Sequence, residues 1–176
     1  MILDIALGIL EAIFVNAFFD VDFSLKLVFF GIIFALLPDI DVSWGWLLKE
    51  KQWWRRGVWG HREFTHYPLT HVLVTLIIYQ VFGGSWTLLY LLGTLGHLIH
   101  DSVDGWGIKW LWPFTKHPYR FFYRGAIISK ADWKEVGHGH TGDVKSWLKD
   151  IYLRKYLPYE ILALLIVMVF LYFYAK

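Results

Sequence analysis

The chain contains no cysteine, which excludes disulfides, iron–sulfur clusters and any metal site built on thiolates. Charge is scarce as well: Asp, Glu, Lys and Arg make up 18% of the 176 residues, against roughly a quarter in an average soluble domain. The sequence has no internal repeat, no Gly-rich phosphate loop, no Ser/His/Asp triad and no nucleic-acid-binding motif. The opening Met-Ile-Leu-Asp lacks the basic stretch of a cleavable signal peptide, so the first apolar segment is expected to stay in the mature protein. Apolar side chains fill the space these absences leave. Hydrophobic residues reach 57%, aromatics 20%, and the mean hydropathy is +0.44. That composition predicts one integral membrane domain.

Five segments are expected to span, at about 2–19, 23–37, 68–82, 86–104 and 158–174. Several fall short of the roughly 20 residues that cross a bilayer untilted, which implies local thinning or snorkelling ends. The fold class predicted is all-α: a polytopic helical bundle with an amphipathic helix lying in the cytoplasmic interface. Five crossings put the N-terminus and the loops 38–67 and 105–157 on one side. Of the 17 Lys and Arg residues only Lys26 and Lys176 fall on the other, so the loop side is expected to be cytoplasmic and the C-terminus outside. Trp44, Trp46, Trp53, Trp54 and Trp59, with Trp106, Trp110 and Trp112, suit an aromatic belt on that face. Within 115–157, Ser129 and Asp132 read as a capping box. Val144, Trp147, Leu148, Ile151 and Tyr152 form the apolar stripe of the expected interfacial helix.

The apolar segments end or begin on acids and histidines at this same face. Segment 2 ends at Asp39 and Asp41, segment 3 follows His61 and His66, and segment 4 ends through His97, His100, Asp101 and Asp104. The last four lie at i, i+3, i+4 and i+7 and so share one helix stripe. A charged group turned to lipid costs on the order of 2.5–3.5 kcal/mol at mid-membrane, so the stripe must face protein, water or a cation. Asp101 and Asp104 also sit at a negative helix end, a penalty that a bound cation reverses. Pro38 is expected to stop segment 2, and Gly105 to cap segment 4. Each motif alone has a plainer reading as a solvated helix end or polar filler. Their convergence from three separate stretches favours a divalent metal held by carboxylate and imidazole. His138 and His140 read as a solvated loop, and His71 and His117 have no stronger claim.

Leu37-Pro38-Asp39-Ile40-Asp41, His61-Arg62 with Thr65-His66, Gly96-His97 with Asp101, and Leu111-Trp112-Pro113-Phe114 occur in that order. Over roughly residues 30–115 this resembles the LexA-regulated, membrane-bound metal-dependent hydrolases. The resemblance implies a multi-spanning inner-membrane protein with a divalent-metal hydrolase site. The chain departs from that pattern at Asp104, where the family usually has Thr, and at the extra His100. Asp4 stands where many relatives have a first-helix histidine, and reads either as a ligand from a fourth helix or as an ordinary N-terminal helix acid. Glu11, two turns deeper, reads as an inter-helix hydrogen-bonding group, and Glu160 as a helix-start acid.

These readings combine into a membrane-embedded metal-dependent hydrolase. Asp39, Asp41, His61, His66, His97 and Asp101, with Asp4, are the expected ligands of one or two ions, Zn or Mn first. Arg62 is the expected holder of a substrate phosphate, and Asp104 or His100 the expected general base. Membrane lipids are the expected surroundings and a lipid or lipid-linked phosphoester the expected substrate; no nucleic acid is expected as a partner. Two alternatives stand beside it: a non-catalytic scaffold held together by its metal, and an ion- or proton-coupled transporter.

Overall fold

The structure, a computed structural model, describes residues 2–41, 62, 64–103, 107–123, 126–130, 153–154 and 156–175. Five α-helices are described: α1 (Ile2–Phe19), α2 (Leu25–Leu36), α3 (Pro68–Phe82), α4 (Gly84–Val103) and α5 (Leu157–Tyr174). Two 3-10 turns, Leu37–Asp39 and Phe64–His66, extend α2 and precede α3. A two-stranded antiparallel sheet, β1 (Tyr119–Tyr123) and β2 (Ala126–Lys130), follows α4.

Local chemistry sets the helix ends. Ser24 accepts the Leu27 N–H on its Oγ at 3.2 Å and starts α2. Pro68 opens α3, where its missing N–H costs nothing. Gly83 alone separates α3 from α4, with a φ of 79° that favours glycine. Pro38 stops α2 as expected, but without driving Leu37 into extended backbone. Leu37 stays right-handed (φ −60°, ψ −37°) and the chain tightens into a 3-10 turn that still closes α2 before Asp39.

Side-chain pairs fix the helix directions. Gly8 lies against Gly31 and Asn16 donates to the Val21 carbonyl, so α1 and α2 are antiparallel. Phe30 meets Trp86 and Phe34 meets Tyr90, so α2 and α4 run parallel. His71 meets Tyr90 while His66 meets His97, so α3 and α4 are antiparallel. Ile2 N–H donates to Glu160 Oε2 at 3.1 Å and Tyr174 donates to Asn16 Oδ1, which makes α5 parallel to α1. The starts of α1, α3 and α5 therefore share one end of the bundle with the finishes of α2 and α4.

Small residues allow the closest crossings. A Cβ on Gly8 would meet the Gly31 carbonyl carbon at 2.6 Å, and one on Gly93 would meet the Ala35 nitrogen at 2.9 Å. Ala6, Ile9, Ala12, Val15, Leu27 and Leu89 pack the buried apolar seam. Elsewhere the usual partition is inverted. His71 is the one buried residue of α3, whereas Val72, Leu73, Leu76 and Ile77 on the same helix are exposed. Polar side chains inside and leucines outside suit a solvent that is hydrocarbon.

By length and composition α1 and α5 qualify as membrane spans; at 18 residues each they are about 27 Å long. Two expectations need correction. The fold is mostly helical but not all-α, because β1 and β2 form a sheet. Ser129 is accordingly not a helix cap: it pairs with Arg120 across the strands. The aromatic and β-branched residues of Tyr119–Tyr123 and Ala126–Lys130 favour the pleated pairing. Gly105 and the expected interfacial helix around 144–152 lie outside the described residues.

Candidate metal centre

The 3-10 turn after α2 carries Asp39, the turn before α3 carries His66, and the last two turns of α4 carry His97 and Asp101. One ligating atom each from Asp39, His66 and His97 lies within 4.8 Å of the other two. Asp39 Oδ1 is 3.7 Å from His66 Nε2 and 3.4 Å from His97 Nε2. Asp101 Oδ2 adjoins both rings, at 3.3 Å from His66 Nε2 and 3.8 Å from His97 Nε2. His66 and His97 are buried; Asp39, with a side chain 23% exposed, is the open edge of the group.

These separations are long for hydrogen bonds and right for something else. Ligands about 2.1 Å from a tetrahedral cation stand about 3.4 Å from one another. His97 Nε2 and Asp101 Oδ2 are buried and make no hydrogen bond among the described residues, a costly state unless a further group satisfies them. Two carboxylates and two imidazoles are the donor set of Zn or Mn, so the residues present fit a divalent ion.

The surrounding contacts turn each imidazole the right way. Thr65 Oγ1 donates to Asp41 Oδ2 at 3.0 Å and lies 3.1 Å from His66 Nδ1. A hydroxyl has one proton. Once it goes to a carboxylate, the oxygen can only accept from His66, so a neutral ring carries its proton on Nδ1 and keeps the lone pair on Nε2. His97 Nδ1 faces Asp4 Oδ1 at 3.3 Å, and His100 Nδ1 approaches the same oxygen at 3.2 Å. A carboxylate accepts only, so Asp4 favours the His97 ring proton on Nδ1, and a neutral ring so held turns its Nε2 lone pair toward Asp39 and Asp101.

Sequence reasoning missed part of this support. His71 Nε2 donates to the Thr65 carbonyl at 2.8 Å, which leaves its Nδ1 to accept from Tyr90 Oη at 2.8 Å. A histidine buried in an otherwise leucine- and valine-rich helix was the available signal. Ser102 Oγ donates to the Leu98 carbonyl and accepts from Trp110 Nε1 at 2.8 Å, which ties the loop after α4 to that helix.

The structure thus brings together Asp39, His66, His97 and Asp101, and sets other expected residues in different places. Asp4 stands on the Nδ1 side of His97 and Asp41 behind Thr65; neither shares the point where the Nε2 atoms converge. Arg62 is engaged beside the cluster: its guanidinium lies 3.0 Å from Asp101 Oδ1 and donates to the Asp101 carbonyl at 3.1 Å. It fixes that side chain and satisfies a last-turn carbonyl of α4. His100 faces Asp4. Glu11 stands over Gly96, whose Cβ would meet Glu11 Oε1 at 2.9 Å. His61, Asp104, His138 and His140 lie outside the described residues, and His117 is exposed.

The comparisons point to the inner membrane. A family described as YdjM inner membrane protein matches residues 3–176. Inner membrane protein YbcI of Escherichia coli (strain K12) is 36% identical over 117 residues, 60% of this chain and 63% of that relative. The chain therefore spans somewhat less than two thirds of the curated relative's length. No solved structure matches it. A family match over nearly the whole sequence, on helices that turn leucine outward and histidine inward, makes this integral inner-membrane protein a member of the YdjM inner membrane protein family.

Proposed function

We propose that the chain is a metal-dependent hydrolase whose centre opens at the cytoplasmic surface of the inner membrane, acting on a lipid or lipid-linked phosphoester. The observation that carries this is the meeting of Asp39, His66 and His97 at one point, with Asp101 beside both rings. Three protein ligands with one open edge is the usual plan of a hydrolytic zinc site. A divalent ion bound there supplies a water acidic enough to ionise near neutrality and polarises a phosphoryl oxygen.

The protein's own part is orientation. Thr65 and Asp4 hold the two imidazoles, His100 secures Asp4, and Arg62 keeps Asp101 directed at the rings. The phosphoester class rests on location: all five described helices have an end in the plane of this cluster, and in the proposed five-span topology that plane is the headgroup layer. N-terminus and loops then face the cytoplasm and the C-terminus faces outside, as the distribution of Lys and Arg favours.

The test has two stages. Detergent-purified protein is assayed for bound metal, then wild type and Asp39→Asn are compared on phospholipids, isoprenoid phosphates and chromogenic phosphodiesters in mixed micelles. Metal-dependent turnover that falls by orders of magnitude in Asp39→Asn is expected; turnover unchanged in the variant overturns the reading. One observation favours a second reading. Four donors on three separate elements, with α1 fastened on through Asp4, are what a closed structural site needs. Full metal loading with no turnover on any substrate assigns the centre to that scaffold role.

A further inference from the structure

From residue 105 to residue 131 the chain has five basic residues, eight aromatic residues and no acid. Its described part is pinned to the end of the bundle that carries the polar cluster. Ile108 pairs with Tyr119 across an isolated bridge, Trp110 donates to Ser102 at the end of α4, and Trp112 stacks on Tyr67 just before α3 with ring centroids 4.5 Å apart. The tryptophans expected to form an interfacial belt are therefore partly spent on protein here. Outward point other residues: Phe114 is 93% exposed, Phe122 71%, Ile127 72% and Ile128 62%. Phe122 reaches that position with φ 53°, a backbone state that an aromatic residue seldom adopts. Lys116 and Lys130 are exposed on the same segments.

Water is a poor solvent for four such side chains, and a protein that buries them would be expected to bring acids for the lysines. An anionic lipid surface meets both needs, since it offers hydrocarbon a few ångströms beneath negative headgroups. The surface is also continuous with one already in lipid: β1 packs on α4, whose Ile99 and Val103 are exposed at that end. We propose that the β1–β2 hairpin and the loop at Phe114 dip into the cytoplasmic leaflet and bind anionic phospholipid, forming an interfacial anchor beside the metal centre. This does not depend on the metal or on hydrolysis.

The lack of cysteine makes the test direct. Phe114→Cys, Phe122→Cys, Ile127→Cys and Lys116→Cys, each the single thiol in the full chain, carry a nitroxide in vesicles of phosphatidylethanolamine and phosphatidylglycerol. Collision with oxygen should exceed collision with a water-soluble nickel chelate at 114, 122 and 127, with the reverse at 116. Replacing phosphatidylglycerol by phosphatidylcholine, or introducing Lys116→Glu with Lys130→Glu, should move the three apolar sites toward water. Nickel access at all three in the anionic vesicles overturns the proposal, as does protection from both reagents, which would mean that protein covers the patch. Depth that ignores the lipid charge overturns the anionic preference. Phe114 is almost fully exposed, so its substitution leaves the packing intact and keeps the test valid if Phe122→Cys fails to fold.

Discussion

Thr65 has one hydroxyl proton and two neighbours, and the choice between them decides what His66 can do. With the proton on Asp41, His66 is left with its lone pair on Nε2, toward Asp39 and Asp101. Thr65→Val removes the hydroxyl at almost constant volume and should weaken metal binding by on the order of 10–100-fold, while Thr65→Ser restores most of it. Competition with a chromogenic chelator measures both, and a valine variant as tight as wild type would refute the preset ring. Asp4→Asn acts on the other imidazole. Its amide can donate to His97 Nδ1 and push the ring proton to Nε2, so a loss of similar size is expected in the same titration. Asp39, His66, His97 and Asp101 were legible because each ends an apolar segment in a recognisable motif. The division between residues at the point where the Nε2 atoms converge and residues that hold the rings was not. Asp4 and Asp41 are the same carboxylate as Asp39, and only the rotation of α1 and the Thr65 hydroxyl between them set their sides. For Arg62 the sequence suggests a substrate phosphate, and nothing in it says that Asp101, 39 residues on, pairs with the guanidinium.

Helix crossings here depend on what is missing from Gly8, Gly31 and Gly93. A methyl at Gly8 runs into the backbone of α2, which cannot yield as a flexible side chain would. Gly8→Ala should therefore destabilise the protein by about 1–3 kcal/mol, the usual cost of overpacking. At Gly84 the added Cβ meets only the Phe19 ring at 3.4 Å, ordinary contact, and Gly84→Ala should be near neutral. Thermal unfolding in one detergent compares the two, and equal losses would mean that the α1–α2 crossing is looser than described. All five helices were visible as long apolar runs, with α1 and α3 at their observed limits. The hairpin was not, because Tyr119–Tyr123 and Ala126–Lys130 are too short for periodicity to tell strand from helix. Its β-branched and aromatic content was the one signal, and Ser129 with Asp132 offered a competing helix start.

Across the whole molecule, four elements meet at the polar cluster, so the proposed metal should be linked to stability. With free metal at about 100 times its dissociation constant, binding adds about 2.7 kcal/mol to the folded state. A chelator should lower the melting temperature of wild type and leave that of His66→Ala unchanged; an equal shift in both would dissociate the metal from the cluster. Reporter fusions near Trp53 and Lys134 should read as cytoplasmic and a fusion at Lys176 as outside, whereas a cytoplasmic C-terminus would remove one of the five proposed crossings. The order of the donors along the chain also sets a schedule. Asp4 and Asp39 are made early during synthesis and His66 follows in the turn before α3, whereas His97 and Asp101 come only with α4, which the single residue Gly83 joins to α3. A ribosome-bound chain stalled before α4 has emerged holds Asp4, Asp39 and His66 but lacks His97 and Asp101, and one stalled just after it holds the full donor set. Capture of the proposed ion would thus mark a defined moment in biogenesis, after the fourth helix and before α5 closes over α1 through Glu160.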